Sequence, residues 1–182
     1  MKKTTLCLVL FLTTSTLFSQ KYFTKTGVVS FEASVPSFEE VKAKNKTTTA
    51  ILNIETGEIA ALCLIKGFRF KVALMEEHFN ENYAESGRFP KATFKGAIEN
   101  FSFDELSDKA KIYTIKGDLS FHGKTVVINT DAKIAIINNE ISLLTNFETS
   151  IDNFDIKLSK TVLKKVAETV DVSINFKLIP KK

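Results

Sequence analysis

Carboxylates are the commonest chemically active side chains in one short segment of the chain, which contains Glu76, Glu77, Glu81 and Glu85. A pair of carboxylates can act as general acid and general base when both groups reach the substrate. The spacing of these glutamates, however, is typical of the solvated face of a short helix. We therefore expect the segment to be a surface helix without a catalytic role.

The histidines and cysteines also lack the arrangement that metal binding or nucleophilic catalysis requires. His78 and His122 are the only histidines, and neither has a cysteine or an ordered set of carboxylates beside it. Cys63 lies in an apolar run, where burial would raise the pKa of the thiol. No serine has the context of a nucleophile elbow. The sequence therefore predicts no bound metal, no cofactor and no enzymatic activity.

The first twenty residues have the three parts of a secretory signal peptide. Met1-Lys2-Lys3 is basic, residues 6–12 are apolar, and Ser19 offers a small residue for cleavage. The apolar run is far shorter than the ~20 residues of a membrane-spanning helix, and no later stretch reaches that length without a charge. We expect residues 1–20 to be removed and residues 21–182 to form one domain, without a transmembrane segment, in the periplasm or outside the cell.

The composition of the mature chain indicates a protein held together by its core. The sequence is 44% hydrophobic, with 16 Phe and no Trp. Loss of the leader removes two lysines and lowers the formal charge from +4 to +2, and the remaining charges are scattered. This distribution argues against nucleic-acid binding. Cys63 is the only cysteine left after cleavage, so no intramolecular disulfide can form.

Apolar and polar residues alternate along most of the chain, and this pattern predicts about eight strands. The predicted strands are Tyr22 to Val35, Thr48 to Ile54, Glu58 to Phe70, Lys91 to about Phe101, Tyr113 to Phe121, Val126 to Ile136, Ile141 to Ile151 and Val170 to Leu178. A helical turn or loop is expected over residues 37–46. Helical spacing predicts one short helix over residues 73–85, and a second, behind a Ser159 cap, over residues 160–167.

Short turns make sequential strands antiparallel neighbours, and a sheet with one apolar face must close or stack. We therefore predict an all-β, antiparallel up-and-down barrel of the lipocalin type. Such a barrel is either filled by its own side chains or holds one elongated ligand. Residues 58–70 are apolar on both faces, so the helix after them or a second subunit is expected to cover their outer side.

Three segments resemble the signature regions of the YceI-like polyisoprenoid-binding family: FPKATFKG at residues 89–96, HFNENY at residues 78–83 and KGDLSFHGKT at residues 116–125. The likeness extends over nearly the whole mature chain, although the first strand lacks the histidine of many members. The resemblance implies an extended lipocalin-like barrel, periplasmic or extracellular, with a long hydrophobic tunnel. It also implies that the ligand is an isoprenoid, quinone-like or fatty-acyl molecule.

The inward faces of the predicted strands supply the residues expected to contact such a ligand. They are Phe31, Ala33, Phe94, Ile98, Tyr113, Ile115, Leu119, Phe121, Ile174 and Phe176, with Phe79 and Phe89 near an opening. Flat aromatic rings give broad dispersion contact to prenyl units without requiring hydrogen bonds. The pattern by itself favours rings that simply pack against one another, and the family resemblance makes ligand contact an equal alternative for the set.

Three classes of function are compatible with this reading. The first is a soluble protein that carries, stores or sequesters a lipid. The second is an outer-membrane barrel, which the absence of Trp, the few Tyr and the central helix argue against. The third is a non-catalytic interaction module with a filled barrel, which could be a homodimer through residues 58–70.

Overall fold

The computed structural model describes residues 21–181. The predicted signal peptide, residues 1–20, lies outside the described residues. The described chain forms nine strands and one α-helix: β1 (Lys21–Ser34), β2 (Lys42–Asn53), β3 (Glu58–Leu64), β4 (Arg69–Phe70), α1 (Ala73–His78), β5 (Lys91–Ile98), β6 (Lys111–Phe121), β7 (Lys124–Ile137), β8 (Glu140–Ser150) and β9 (Val166–Pro180).

Eight of these strands close into an antiparallel barrel. They follow the order β1-β9-β8-β7-β6-β5-β3-β2, and pairing of β1 with β2 completes the ring. The two-residue β4 lies outside the ring and pairs with β2. Closure leaves none of the eight strands with a free edge along its whole length. The predicted all-β, lipocalin-like barrel is confirmed.

β2 is longer than the sequence predicts. It begins at Lys42, although a helical turn or loop is expected over residues 37–46. Ala43 and Asn45 are buried, and the Asn45 side-chain amide donates to the carbonyl oxygen of Leu64 at 2.8 Å. Asn45 lies between two lysines, so the local sequence shows no alternation of apolar and polar residues there. Its burial depends on a hydrogen-bond partner in β3, which is distant in the sequence.

Only one of the two predicted helices is present. α1 continues directly into a π-helical turn, Phe79–Tyr83, so the helical prediction for residues 73–85 is confirmed. The prediction for residues 160–167 is wrong: the chain there forms turns, and β9 begins at Val166, which pairs with Ser34. Pairing within the barrel outweighs the weak local helix preference. No helix in residues 21–181 is long and apolar enough to cross a membrane.

The outer face of β3 is left uncovered by the helix. Leu62 and Leu64 point away from the barrel interior, and 38% and 53% of their surfaces are exposed. Ile59, Ala61 and Cys63 alternate with them on the inner face. The expectation that the helical segment covers this strand is therefore not met.

A packed core fills one end of the barrel. Its most deeply buried side chains come from four strands: Leu52, Ile134, Ile141, Leu143 and Leu178 are at most 1% exposed. Along β6 the inward residues change their surroundings with depth. Tyr113 and Ile115 belong to this core, whereas Leu119 and Phe121 face an open space at the other end. The barrel thus has a filled half and a hollow half.

Candidate ligand cavity

The hollow half of the barrel encloses a cavity of about 550 Å³, within the usual size range of ligand pockets. Seven barrel strands, the helical segment and residues 151–166 contribute to its wall, which is almost entirely apolar. Phe38 and Leu74, which line the cavity, are 47% and 57% exposed and so mark its mouth. The cavity therefore runs from the packed core to the protein surface.

Phe94 and Phe176 close the inner end of the cavity. Both line it, and both contact the packed core. Gly96 and Gly117 face each other on β5 and β6, and a Cβ atom on either would lie within 2.9 Å of the Phe94 ring. A Cβ atom on Gly27 would lie 2.7 Å from the ring of Phe176. The glycines leave the space that these two rings occupy next to the strands.

A cluster of phenylalanines forms the wall beneath the helical segment. Phe31 of β1 has its ring centre 5.2 Å from that of Phe68, 5.7 Å from that of Phe70 and 5.3 Å from that of Phe79. The rings of Phe70 and Phe79 are 5.2 Å apart. Tilted and edge-on pairs at such distances each add about 0.5–1.5 kcal/mol beyond burial of area. The cluster fastens the helical segment to the barrel.

Another part of the cavity wall is formed by a 3₁₀ turn, Ile151–Phe154, that follows β8. Ser150 caps this turn by accepting a hydrogen bond from the Asp152 amide at 3.2 Å. The turn directs Phe154, which is 3% exposed, to the ring of Phe121 at 5.4 Å. Phe121 and Phe154 therefore face the cavity as a packed pair.

His122 joins this wall to the loop after the helical segment. Its Nδ1 donates to the carbonyl oxygen of Phe154 at 2.9 Å, and its ring lies 4.5 Å from that of Phe89. Nε2 is buried, has no hydrogen-bond partner among residues 21–181, and lies 3.6 Å from Oε1 of Glu85. A bond from Nδ1–H to a carbonyl fixes the orientation of the imidazole. His122 thus holds three segments together.

Polar groups contribute little of the cavity wall, and its acidic and basic side chains are at the mouth. Glu39, His78 and Lys165 line it there and are exposed. Deeper inside lie Thr48 and Cys63; burial raises the pKa of the Cys63 thiol, and the Thr48 hydroxyl partly offsets that rise. Within residues 21–181 no group of three or more His, Cys, Asp or Glu side chains could hold a metal ion. The chemistry of this wall suits an apolar molecule.

Eight of the twelve predicted ligand contacts line the cavity. They are Phe31, Ala33, Phe79, Phe94, Leu119, Phe121, Ile174 and Phe176. They come from five elements, and the barrel brings them to one space. Alternation selects the inward face of a strand, and all of these residues except Phe79 lie on such a face at the depth of the hollow half.

The other four predicted contacts lie elsewhere. Ile98, Tyr113 and Ile115 point inward but are 3–5% exposed within the packed core. The ring of Phe89 makes a tilted contact with that of His122, and the Arg88 guanidinium lies over the Phe89 ring at 4.9 Å. The first three share a face with cavity residues but lie deeper, because a period of two gives the direction of a side chain and not its height in the barrel.

Several residues that line the cavity are not among the ligand contacts predicted from the sequence. Phe68 directly follows the 3₁₀ turn Ile65–Gly67 after β3, Phe70 is in β4, and Phe154 belongs to the turn after β8. Their positions outside regular barrel strands break the alternation. The concentration of phenylalanine in the chain is the one sequence signal that points to them.

The family model of the YceI-like domain matches residues 16–178. The chain belongs to the YceI-like family. This match spans the barrel from β1 into β9, and so includes every residue that lines the cavity. A comparison with curated protein sequences found no match.

Solved structures share the fold of this YceI-like protein at low sequence identity. A polyisoprenoid-binding domain from Saccharophagus degradans, implicated in plant cell wall breakdown, has a TM-score of 0.77 at 12% identity, covering 89% of this chain and 99% of that one. BcnA from Burkholderia cenocepacia has a TM-score of 0.68 at 14% identity, and the match covers 84% of this chain and 95% of BcnA. The YCEI protein of Campylobacter jejuni has a TM-score of 0.60 at 15% identity, and the match covers 81% of this chain and 89% of that protein.

Proposed function

We propose that this protein binds a polyisoprenoid, quinone-like or fatty-acyl lipid in its cavity, for transport, storage or sequestration. The observation that carries the proposal is the apolar cavity of about 550 Å³, which is open at one end. The similarity to a polyisoprenoid-binding domain supports the same ligand class. We further propose that residues 21–182 act in the periplasm or outside the cell after removal of residues 1–20.

The energetics of this cavity suit a long hydrocarbon chain. Each buried methylene contributes ~0.8 kcal/mol, so roughly ten of them contribute about 8 kcal/mol before the costs of association and ordering. Phenylalanine rings from two parts of the wall provide contacts without demanding hydrogen bonds. Binding therefore depends on shape and burial, and no reactive group is needed.

The proposed ligand contacts are the eight predicted residues that line the cavity, and the structure adds others from its walls. Phe68, Phe70 and Phe154 each present a ring to the same space. Phe94 and Phe176 would meet the inner end of the ligand. Phe79 would cover it near the mouth, because the helical segment lies over the cavity.

Extraction of the purified protein with organic solvent, followed by mass spectrometry, tests the proposal. The expected result is one lipid per protein, or stoichiometric uptake of an added quinone or prenyl phenol. Unfolded protein extracted in the same way serves as the control for lipid adhering without a cavity. An empty extract together with no uptake of either probe would contradict the proposal.

The exposed outer face of β3 favours a second arrangement, in which two copies pair through this strand. Leu62 and Leu64 form its apolar part. If the protein is an interaction module that pairs through β3, the wild type is a dimer and Leu64→Lys is a monomer. If it is a monomeric lipid carrier, the wild type and Leu64→Lys have the same molecular mass in solution. Light scattering with size-exclusion chromatography distinguishes the two outcomes.

A further inference from the structure

The mouth of the cavity carries large apolar side chains on three separate segments. Phe38 follows β1, Leu74 is in α1, and Leu163 precedes β9. Their exposed fractions are 47%, 57% and 43%. Phe38 and Leu74 line the cavity itself, and Leu163 follows Val162, which also lines it. Apolar groups grouped around one opening indicate a surface that is covered when the protein acts.

One side of the mouth is also strongly basic. Residues 156–166 contain four lysines and no acidic residue: Lys157, Lys160, Lys164 and Lys165. All four are exposed, and none forms an ion pair with another residue in the described part of the chain. Four unneutralised cations beside exposed apolar groups are complementary to an anionic, partly apolar surface.

Acidic groups lie on both sides of residues 156–166 and on the other segments of the mouth. Asp152 and Asp155 precede the lysines, with Asp155 3.9 Å from the ammonium group of Lys124, and Glu168 follows them. Glu39 and Glu40 follow Phe38, and Glu40 is 3.8 Å from the ammonium group of Lys42. Glu76 in α1 is 3.0 Å from Arg69, and Glu77 beside it is exposed. The positive charge is therefore concentrated on the side formed by residues 156–166. An anionic surface would contact that side first.

We propose that the mouth of the cavity docks on a bilayer that contains anionic phospholipids. The lysines of residues 156–166 contact the headgroups, and Phe38, Leu74 and Leu163 enter the interfacial layer. In this orientation a lipid chain passes between the bilayer and the cavity without crossing water. The inference rests on the proposed function only in taking the cargo to be a lipid.

Vesicle co-sedimentation of the mature protein tests the docking. The vesicles contain either 70% phosphatidylcholine and 30% phosphatidylglycerol, or phosphatidylcholine alone. The test variants are Lys160→Glu/Lys164→Glu and Leu163→Ser, at positions that do not line the cavity. Matched controls at the filled end are Lys109→Glu/Lys133→Glu and Ile112→Ser, and Ile112 is 62% exposed.

The wild-type protein is expected to bind the anionic vesicles and to lose that binding as salt rises. The double lysine variant should bind roughly tenfold or more weakly, and Leu163→Ser several-fold more weakly, with both controls unchanged. Absence of wild-type binding to anionic vesicles, or equal losses in the filled-end controls, would overturn the docking. The docking would also be overturned if the wild type were a dimer and Leu163→Ser made it a monomer without changing its binding to vesicles.

Lipid content measured on the same samples separates this inference from the proposed function. The double lysine variant is expected to keep its lipid, or its uptake of added quinone, while losing vesicle binding. A wild-type protein that holds lipid but ignores anionic vesicles would refute the docking and leave the lipid-binding proposal standing. A wild-type protein with no lipid and no uptake of probes would refute the proposed function.

Discussion

The ring of Phe79 lies 5.3 Å from the ring of Phe31, and this contact holds the helical segment against β1. Phe79 also lies 5.2 Å from Phe70 and 5.9 Å from Phe68. One side chain thus meets three rings of the barrel wall. Because α1 has only six residues, it depends on such contacts and not on its own helical stability.

Phe79→Ala is expected to loosen the helical segment and to release bound lipid several-fold faster. The half-buried ring makes three aromatic contacts, so its loss should lower the free energy of unfolding by about 2 kcal/mol. Urea unfolding and release of a fluorescent fatty acid measure the two effects. Phe38→Ala, at the mouth and 47% exposed, is the matched control and should cost much less stability. Equal effects of the two changes would contradict the role given to Phe79.

Ala61→Leu is expected to reduce lipid uptake by filling the cavity. Ala61 lines the inner part of the cavity, whereas its neighbour Ala60 points to the outer face of β3. The leucine side chain of Ala61→Leu would take space from the ligand, whereas that of the control Ala60→Leu would face solvent. Affinity for an added quinone should fall about tenfold in Ala61→Leu, since one or two methylenes lose their contacts. Titration of both variants checks this, and a similar loss in Ala60→Leu would contradict it.

His122 offers a test of the bond between the cavity wall and the loop after α1. Its backbone has a φ of +49°, which asparagine tolerates better than leucine. Asparagine can also donate a hydrogen bond to the Phe154 carbonyl in place of Nδ1. We expect His122→Leu to lower the free energy of unfolding by about 1–3 kcal/mol and His122→Asn to lower it by less. Denaturant unfolding measures both, and the reverse order would rule out this bond as the cause.

Cys63 should make stability depend on pH in the alkaline range. Burial raises the pKa of its thiol above the value in the unfolded chain, which is about 8.5. The unfolded chain therefore loses this proton first, so the free energy of unfolding falls as the pH rises above that value. Tyr22, whose pKa is also raised by burial, adds a similar fall at higher pH.

Comparison with Cys63→Ala isolates the contribution of the thiol. As the pH rises from about 7.5 to 9.5, a range that includes the pKa of the unfolded thiol, the free energy of unfolding is expected to fall less in the variant than in the wild type. Urea unfolding at several pH values measures the difference. Identical pH dependence in the two proteins would show that Cys63 ionises equally well folded and unfolded.

The fold could be predicted from the sequence because alternation is strong where strands are long. Tyr113 to Phe121 and Val126 to Ile136 agree with β6 and β7 to within two residues. The prediction failed where burial depends on distant partners. Asn45 is hidden in β2 by a bond to Leu64, and Val166 joins β9 by pairing with Ser34.

The amino-acid sequence by itself determined the strands, the antiparallel closure and the face of each strand that turns inward, since these follow from local periodicity and short turns. Only the tertiary structure decided which inward residues pack and which border the cavity. Ile115 and Leu119 share one face of β6, yet one lies in the core and the other in the cavity wall. Depth in the barrel depends on side chains that meet from elements far apart in the chain, as Phe121 and Phe154 do.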